Sequence, residues 1–73
     1  MNDLKKTVGH QLKVYRAKAG MRSQAALAEA SGVSEAAIAT YEAGNAAPLL
    51  ETTVKLAEAL GCTPNDLCGF GAE

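Results

Sequence analysis

Apolar residues recur at helical intervals along most of this chain, and each such stretch ends at a glycine. Leu4, Val8, Leu12, Tyr15 and Ala19 follow one another at steps of four and three, which puts them on one face of a helix. Lys5, Lys6, Lys13 and Lys18 fall off that face. Val54, Leu56, Ala57 and Leu60 repeat the pattern, and Leu67 with Cys68 and Phe70 extends it over a last short segment. Gly20, Gly32, Gly44 and Gly61 close the segments, while Ser23, Ser34 and Thr63 followed by Pro64 open them; this is the usual punctuation of helix ends. The pattern predicts five helices, at about 4–19, 24–31, 35–43, 50–60 and 64–69. The fourth has Leu49 where a capping side chain belongs, so its first turn is expected to be the weakest. No run of alternating β-branched residues reads as a strand, and the fold class expected is all-α.

A chain of 73 residues makes one domain, 1–73 with its core at about 8–68, and buries only roughly 60% of its unfolded surface. That leaves no room for a second domain or a deep enzyme cleft. Apolar residues are 48% of the chain but aromatic ones only 4%, which favours closely packed helices. Neither a membrane span nor a signal peptide is legible, so a cytoplasmic protein with no membrane contact is expected. Cys62 and Cys68 fit neither a disulfide framework nor the spacing of a zinc site, and are read as reduced structural thiols. The single histidine, His10, has no paired carboxylates, phosphate loop or metal-spaced ligands to work with. No catalysis, metal or cofactor is expected.

The net charge of −1 conceals a division. Lys5, Lys6, Lys13, Arg16, Lys18 and Arg22 face only Asp3 in the first 22 residues, whereas Lys55 alone opposes seven acidic residues in the remainder. A cationic first helix suits a polyanion, although two solvated faces would read the same way.

The stretch from Ser23 to Gly44 is the informative one. Two short helices are joined there by a tight turn, Ser31-Gly32-Val33-Ser34, the supersecondary unit that lays its second helix in the major groove of DNA. Ala28 permits a close crossing, and Val33 and Ile38 supply apolar anchors beyond the turn.

These residues resemble the Cro/cI-like (XRE) helix-turn-helix domain of phage repressors and many bacterial regulators, from about Val8 to Leu67. The likeness rests on Gly9, Leu12 and Arg16; on Ser23-Gln24 with Leu27-Ala28; on Gly32-Val33-Ser34; on Ile38, Glu42 and Gly44; and on Pro48, Leu56-Ala57 and Leu60-Gly61. It implies a five-helix lambda-repressor-like fold with the helix-turn-helix in helices 2 and 3. It further implies a repressor-like regulator, dimeric on double-stranded DNA. Gln24 matches the family's phosphate-contacting glutamine, and Arg16 with Glu42 matches an internal ion pair between the first helix and the recognition helix.

Setting Ile38 inward and stepping about 100° per residue points Ala36, Ala39, Thr40 and Ala43 outward, with Glu35 at the edge. The DNA-contacting set expected is therefore Arg22, Ser23, Gln24, Ser34, Glu35, Ala36, Ala39, Thr40 and Asn45. Three features depart from the family. Alanine offers bases only contact to a thymine methyl, and Glu35 must find cytosine N4 or be repelled. The loop Asn45-Ala46-Ala47 lacks basic residues, and Gly20 to Gln24 holds one residue more than the usual spacing.

Two readings therefore stand. In one, Lys and Arg from the N-terminal region, with Gln24, Ser34, Thr40 and Asn45, contact phosphates, while thymine methyls and DNA shape carry a modest specificity. In the other, the fold is repurposed as an antitoxin-like or anti-repressor-like module whose alanine-rich helix meets a protein partner. Leu49, Leu50, Leu67, Cys68 and Phe70 are candidates for a homodimer surface or, equally, for the floor of the core.

Overall fold

The computed structural model describes residues 3–69, and among them every regular element is helical. Helix α1 spans Leu4–Lys18, α2 Gln24–Ser31, α3 Glu35–Glu42, α4 Leu50–Leu60 and α5 Pro64–Cys68. The ends lie within a residue of those the sequence predicts. Helices α1, α3 and α5 stop one position earlier because Ala19, Ala43 and Gly69 are their C-caps.

Local chemistry explains most of the boundaries. The hydroxyls of Ser23 and Ser34 each accept the backbone N–H three residues on, at 3.1 Å, satisfying one of the donors a helix start leaves open. At α5 Thr63 and Asp66 cap each other reciprocally. Asp3, which the apolar pattern does not mark, caps α1 through Lys6 N–H. Helix α4 opens at Leu49 with no side-chain cap.

Val8 and Leu12 of α1, Leu27 of α2, Ile38 of α3, Leu56, Ala57 and Leu60 of α4 and Leu67 of α5 form one buried cluster. Burying each of the larger side chains contributes roughly 1.5–3 kcal/mol. Helix α1 lies against α3 and α5, α2 against α3 and α4, and α4 against α5. Helix α3 is thus gripped along its inner side by α1 and α2.

The core differs from the expected one in three places. Leu4, at the first helical position, projects past its neighbours and is 46% exposed, and Ala19 is exposed beyond the other end. On α4 the inward stripe is Thr53, Leu56, Ala57 and Leu60, which leaves Val54 one step round the helix and 37% exposed. Thr53 tolerates burial because its hydroxyl donates to Leu49 O at 2.9 Å, so its methyl is the part left facing the core. Leu67 is fully buried, which removes it from any dimer surface; Cys68 is half-buried and Phe70 lies outside the described residues.

Gly9 fixes how α1 meets α3. A Cβ at this position would stand 2.5 Å from the carbonyl oxygen of Tyr41 and 3.0 Å from that of Glu42. Backbone, not a flexible side chain, fills the space.

Candidate nucleic-acid interface

The turn between α2 and α3 is built from backbone and short side chains. Gly32 adopts φ +79, its N–H returns to Ala28 O at 2.9 Å, and Val33 N–H donates to Ser31 Oγ at 3.1 Å. Ser34 then caps α3. Ile38 turns into the core, and as a result Glu35, Ala36, Thr40 and Ala43 are exposed while Ala39 is half-buried. The outer surface of α3 is therefore short, smooth and nearly free of hydrogen-bonding groups. Thr40 Oγ1 donates to Ala36 O at 3.0 Å, so its proton stays within the helix and its lone pairs face outward.

At the inner, C-terminal side of α3 the structure brings Arg16, Gln24 and Glu42 together. Arg16 Nε donates to Glu42 Oε2 at 2.8 Å and Nη2 to Oε1 at 3.1 Å, a bidentate pair. Gln24 Nε2 donates to the same Oε1 at 3.0 Å, and Arg16 Nη1 reaches Met21 O at 3.1 Å. The Glu42 side chain is 2% exposed and that of Arg16 17%. A carboxylate so deeply placed is tolerable only with its oxygens satisfied. Among the described residues no buried side-chain polar atom lacks a partner. One carboxylate thereby ties α1, α2 and α3 to a common point and sets the pitch of α3 against the bundle. The tie from Gln24 and the Met21 carbonyl are additions that sequence reading missed. A neutral amide at a helix start gives no sign of which way it points.

The extra residue between α1 and α2 is absorbed by Met21, which packs against the core while its N–H bonds to Arg16 O at 3.0 Å. Arg22 and Ser23 remain exposed beyond it. Lys13, Arg16 and Arg22, with Ala17, Gly20 and Met21, line an open hollow of about 350 Å³. Asn45 is exposed just past the C-terminal end of α3.

Other reactive groups lie away from this surface. Burial pushes the Cys62 thiol above its ordinary range, with the charge of Asp66 adding to the effect, which keeps the thiolate scarce. Tyr15 is raised by burial and then by Asp66 and Cys62. Both cysteines are free. Among the described residues no group of His, Cys, Asp and Glu could hold a metal ion, and no helix is long and apolar enough to cross a membrane.

The family pattern described as helix-turn-helix matches residues 12–67, from the second half of α1 through Leu67 of α5. The chain belongs to the helix-turn-helix family. A curated relative, the cryptic phage CTXphi transcriptional repressor RstR of Vibrio cholerae serotype O1, is 38% identical over 52 residues, which are 71% of this chain and 46% of RstR. A crystal structure of an HTH_3 family transcriptional regulator from Vibrio cholerae superimposes with a TM-score of 0.83 at 30% identity, over 93% of this chain and 39% of that one. The chain thus spans less than half the length of either protein. The all-helical, lambda-repressor-like architecture with its helix-turn-helix in α2 and α3 is that of the family.

Proposed function

We propose that this chain is a sequence-specific, DNA-binding transcriptional regulator, repressor-like in action, which inserts α3 into the major groove of double-stranded DNA. The carrying observation is the presentation of α3. It is fixed from within by Ile38 and by the Arg16–Glu42–Gln24 cluster, while Glu35, Ala36, Thr40 and Ala43 face outward.

In this reading Arg22, Ser23, Gln24, Ser34 and Asn45 contact phosphates around the ends of the helix-turn-helix. The capping serines suit the task, since each accepts a backbone N–H through a lone pair and keeps its own proton to donate. Ala36 and Ala39 offer apolar contact to thymine methyls, Thr40 an acceptor, and Glu35 a partner for cytosine N4. Such a surface discriminates weakly base by base, so DNA shape carries part of the specificity. Two copies on palindromic half-sites, about one helical turn apart, would multiply it. The role is binding rather than catalysis, and the unpaired thiols suit the reducing cytoplasm. RstR and the structurally matched regulator are named for transcriptional control, which supports the same role here.

The scarcity of hydrogen-bonding groups on α3 favours one competing reading, a helix-turn-helix module whose alanine face docks a protein partner. Selection of bound sequences from a random duplex pool, at low and moderate salt, separates the two. Enrichment of a palindrome is expected. A pool returned unenriched at both salts, with no retention on bulk duplex, overturns DNA binding in favour of the protein partner.

A further inference from the structure

Helix α3 carries no cation of its own. The turn and loop that follow it, Gly44-Asn45-Ala46-Ala47, carry no charge. A duplex groove has a phosphate wall at either side, so cations to flank such a reading helix must come from other elements of the fold.

The fold closes that gap with residues remote in sequence. A Cβ placed on Gly44 would stand 3.4 Å from Lys6 Cγ, 3.6 Å from Lys6 Cα and 4.0 Å from Lys5 O. The first turn of α1 therefore rests on the turn that ends α3, and the Lys6 stem lies across it. Lys5 and Lys6 are both exposed. Two observations separate Lys6 from a structural cation. Three of the last four carbonyls of α3 already have partners, since Ala43 N–H bonds to Ala39 O, Gly44 N–H to Tyr41 O and Asn45 N–H to Thr40 O. Asp3 accepts the backbone N–H of Lys6, and among the described residues the ammonium pairs with no carboxylate.

We infer that Lys6, with Lys5 beside it, is the phosphate contact at the C-terminal end of α3, standing in for the basic residues absent from the loop after Gly44. The partner is a phosphodiester of the duplex that α3 enters, so the inference rests on the DNA-binding reading above. It adds to that reading a cation supplied by the first helix.

Titration of a mixed-sequence duplex against rising salt tests it, because each phosphate neutralised contributes about 0.9 to the slope of log affinity against log salt. Lys6→Gln should weaken binding several-fold at low salt, flatten the slope by about one, and leave the melting temperature unchanged. Lys6→Arg should restore the slope, and Lys55→Gln on α4 should resemble the parent. A Lys6→Gln slope equal to the parent's, or a loss of affinity matched by a fall in melting temperature, overturns the inference while leaving DNA binding intact. A parent chain that binds no duplex at any salt overturns both.

Discussion

The α-carbon of Gly9 approaches the carbonyl oxygen of Tyr41 so closely that one added methyl would stand 2.5 Å away. This crossing sets the spacing of α1 and α3, and through it the angle at which α3 is offered. Gly9→Ala brings a helix-propensity gain of about 1 kcal/mol, set against overpacking of about 1–3 kcal/mol where the neighbour is backbone and cannot rotate aside. Net destabilisation is expected, seen as a melting temperature several degrees lower. A variant melting at or above the parent would show that the two helices can separate without loss.

The cluster at Glu42 makes a sharper prediction. Arg16→Ala leaves a buried carboxylate with Gln24 as its remaining side-chain donor, a change expected to cost about 3–5 kcal/mol. That is a large share of the stability of any small domain. The double variant Arg16→Met with Glu42→Leu removes both charges and keeps much of the volume, so it should regain most of the loss. Urea unfolding of the three proteins checks this. Equal destabilisation of single and double variants would mean that packing, not the stranded charge, dominates.

What the sequence made legible, and what it concealed, follows from the range of the interactions. Helix limits were readable because Ser23, Ser34 and Thr63 act on backbone groups three positions away, and Gly32 and Gly61 act on their own dihedral angles. The α4 stripe was read one position off because hydrophobicity favours Val54. The helix period runs through Thr53 instead, whose polarity is cancelled by a bond inside the helix. The outward set on α3 was readable once Ile38 was placed inward. The direction of the Gln24 amide and the seat of Lys6 on the Gly44 turn were not, since both depend on residues 18 or more positions away.

Cys62 supplies a prediction about alkaline stability. Burial first, and Asp66 second, raise its thiol above the ordinary value of 9.0. The folded chain therefore holds this proton more tightly than the unfolded one. Between the unfolded and folded values the native state binds more protons, so stability falls as pH rises through that window. Melting temperature should accordingly decline above about pH 9. Cys62→Ala should remove the first part of that decline. Tyr15→Phe should remove a later part, because Tyr15 is raised from 10.0 by burial, Asp66 and Cys62. Alkaline melting curves that coincide for the parent and Cys62→Ala, once normalised at neutral pH, would exclude the thiol as the source.

Leu49 stands at the N-cap of α4 with extended dihedrals, 78% exposed, and beside it Leu50 is 76% exposed. The position has cap geometry without cap chemistry. Leu49→Asp supplies an oxygen for the open N–H groups of the first turn and a negative charge at the positive end of the helix dipole. The expected gain is about 0.5–2 kcal/mol, and in a dilute sample the melting temperature should rise by several degrees. Concentration then discriminates what the leucine does. If Leu49 and Leu50 join two copies of the chain, the parent's melting temperature climbs with protein concentration and overtakes that of Leu49→Asp, because association stabilises only the parent. If the variant keeps its lead at every concentration, the pair is no dimer surface, and the two-fold arrangement proposed on DNA must be sought through other residues.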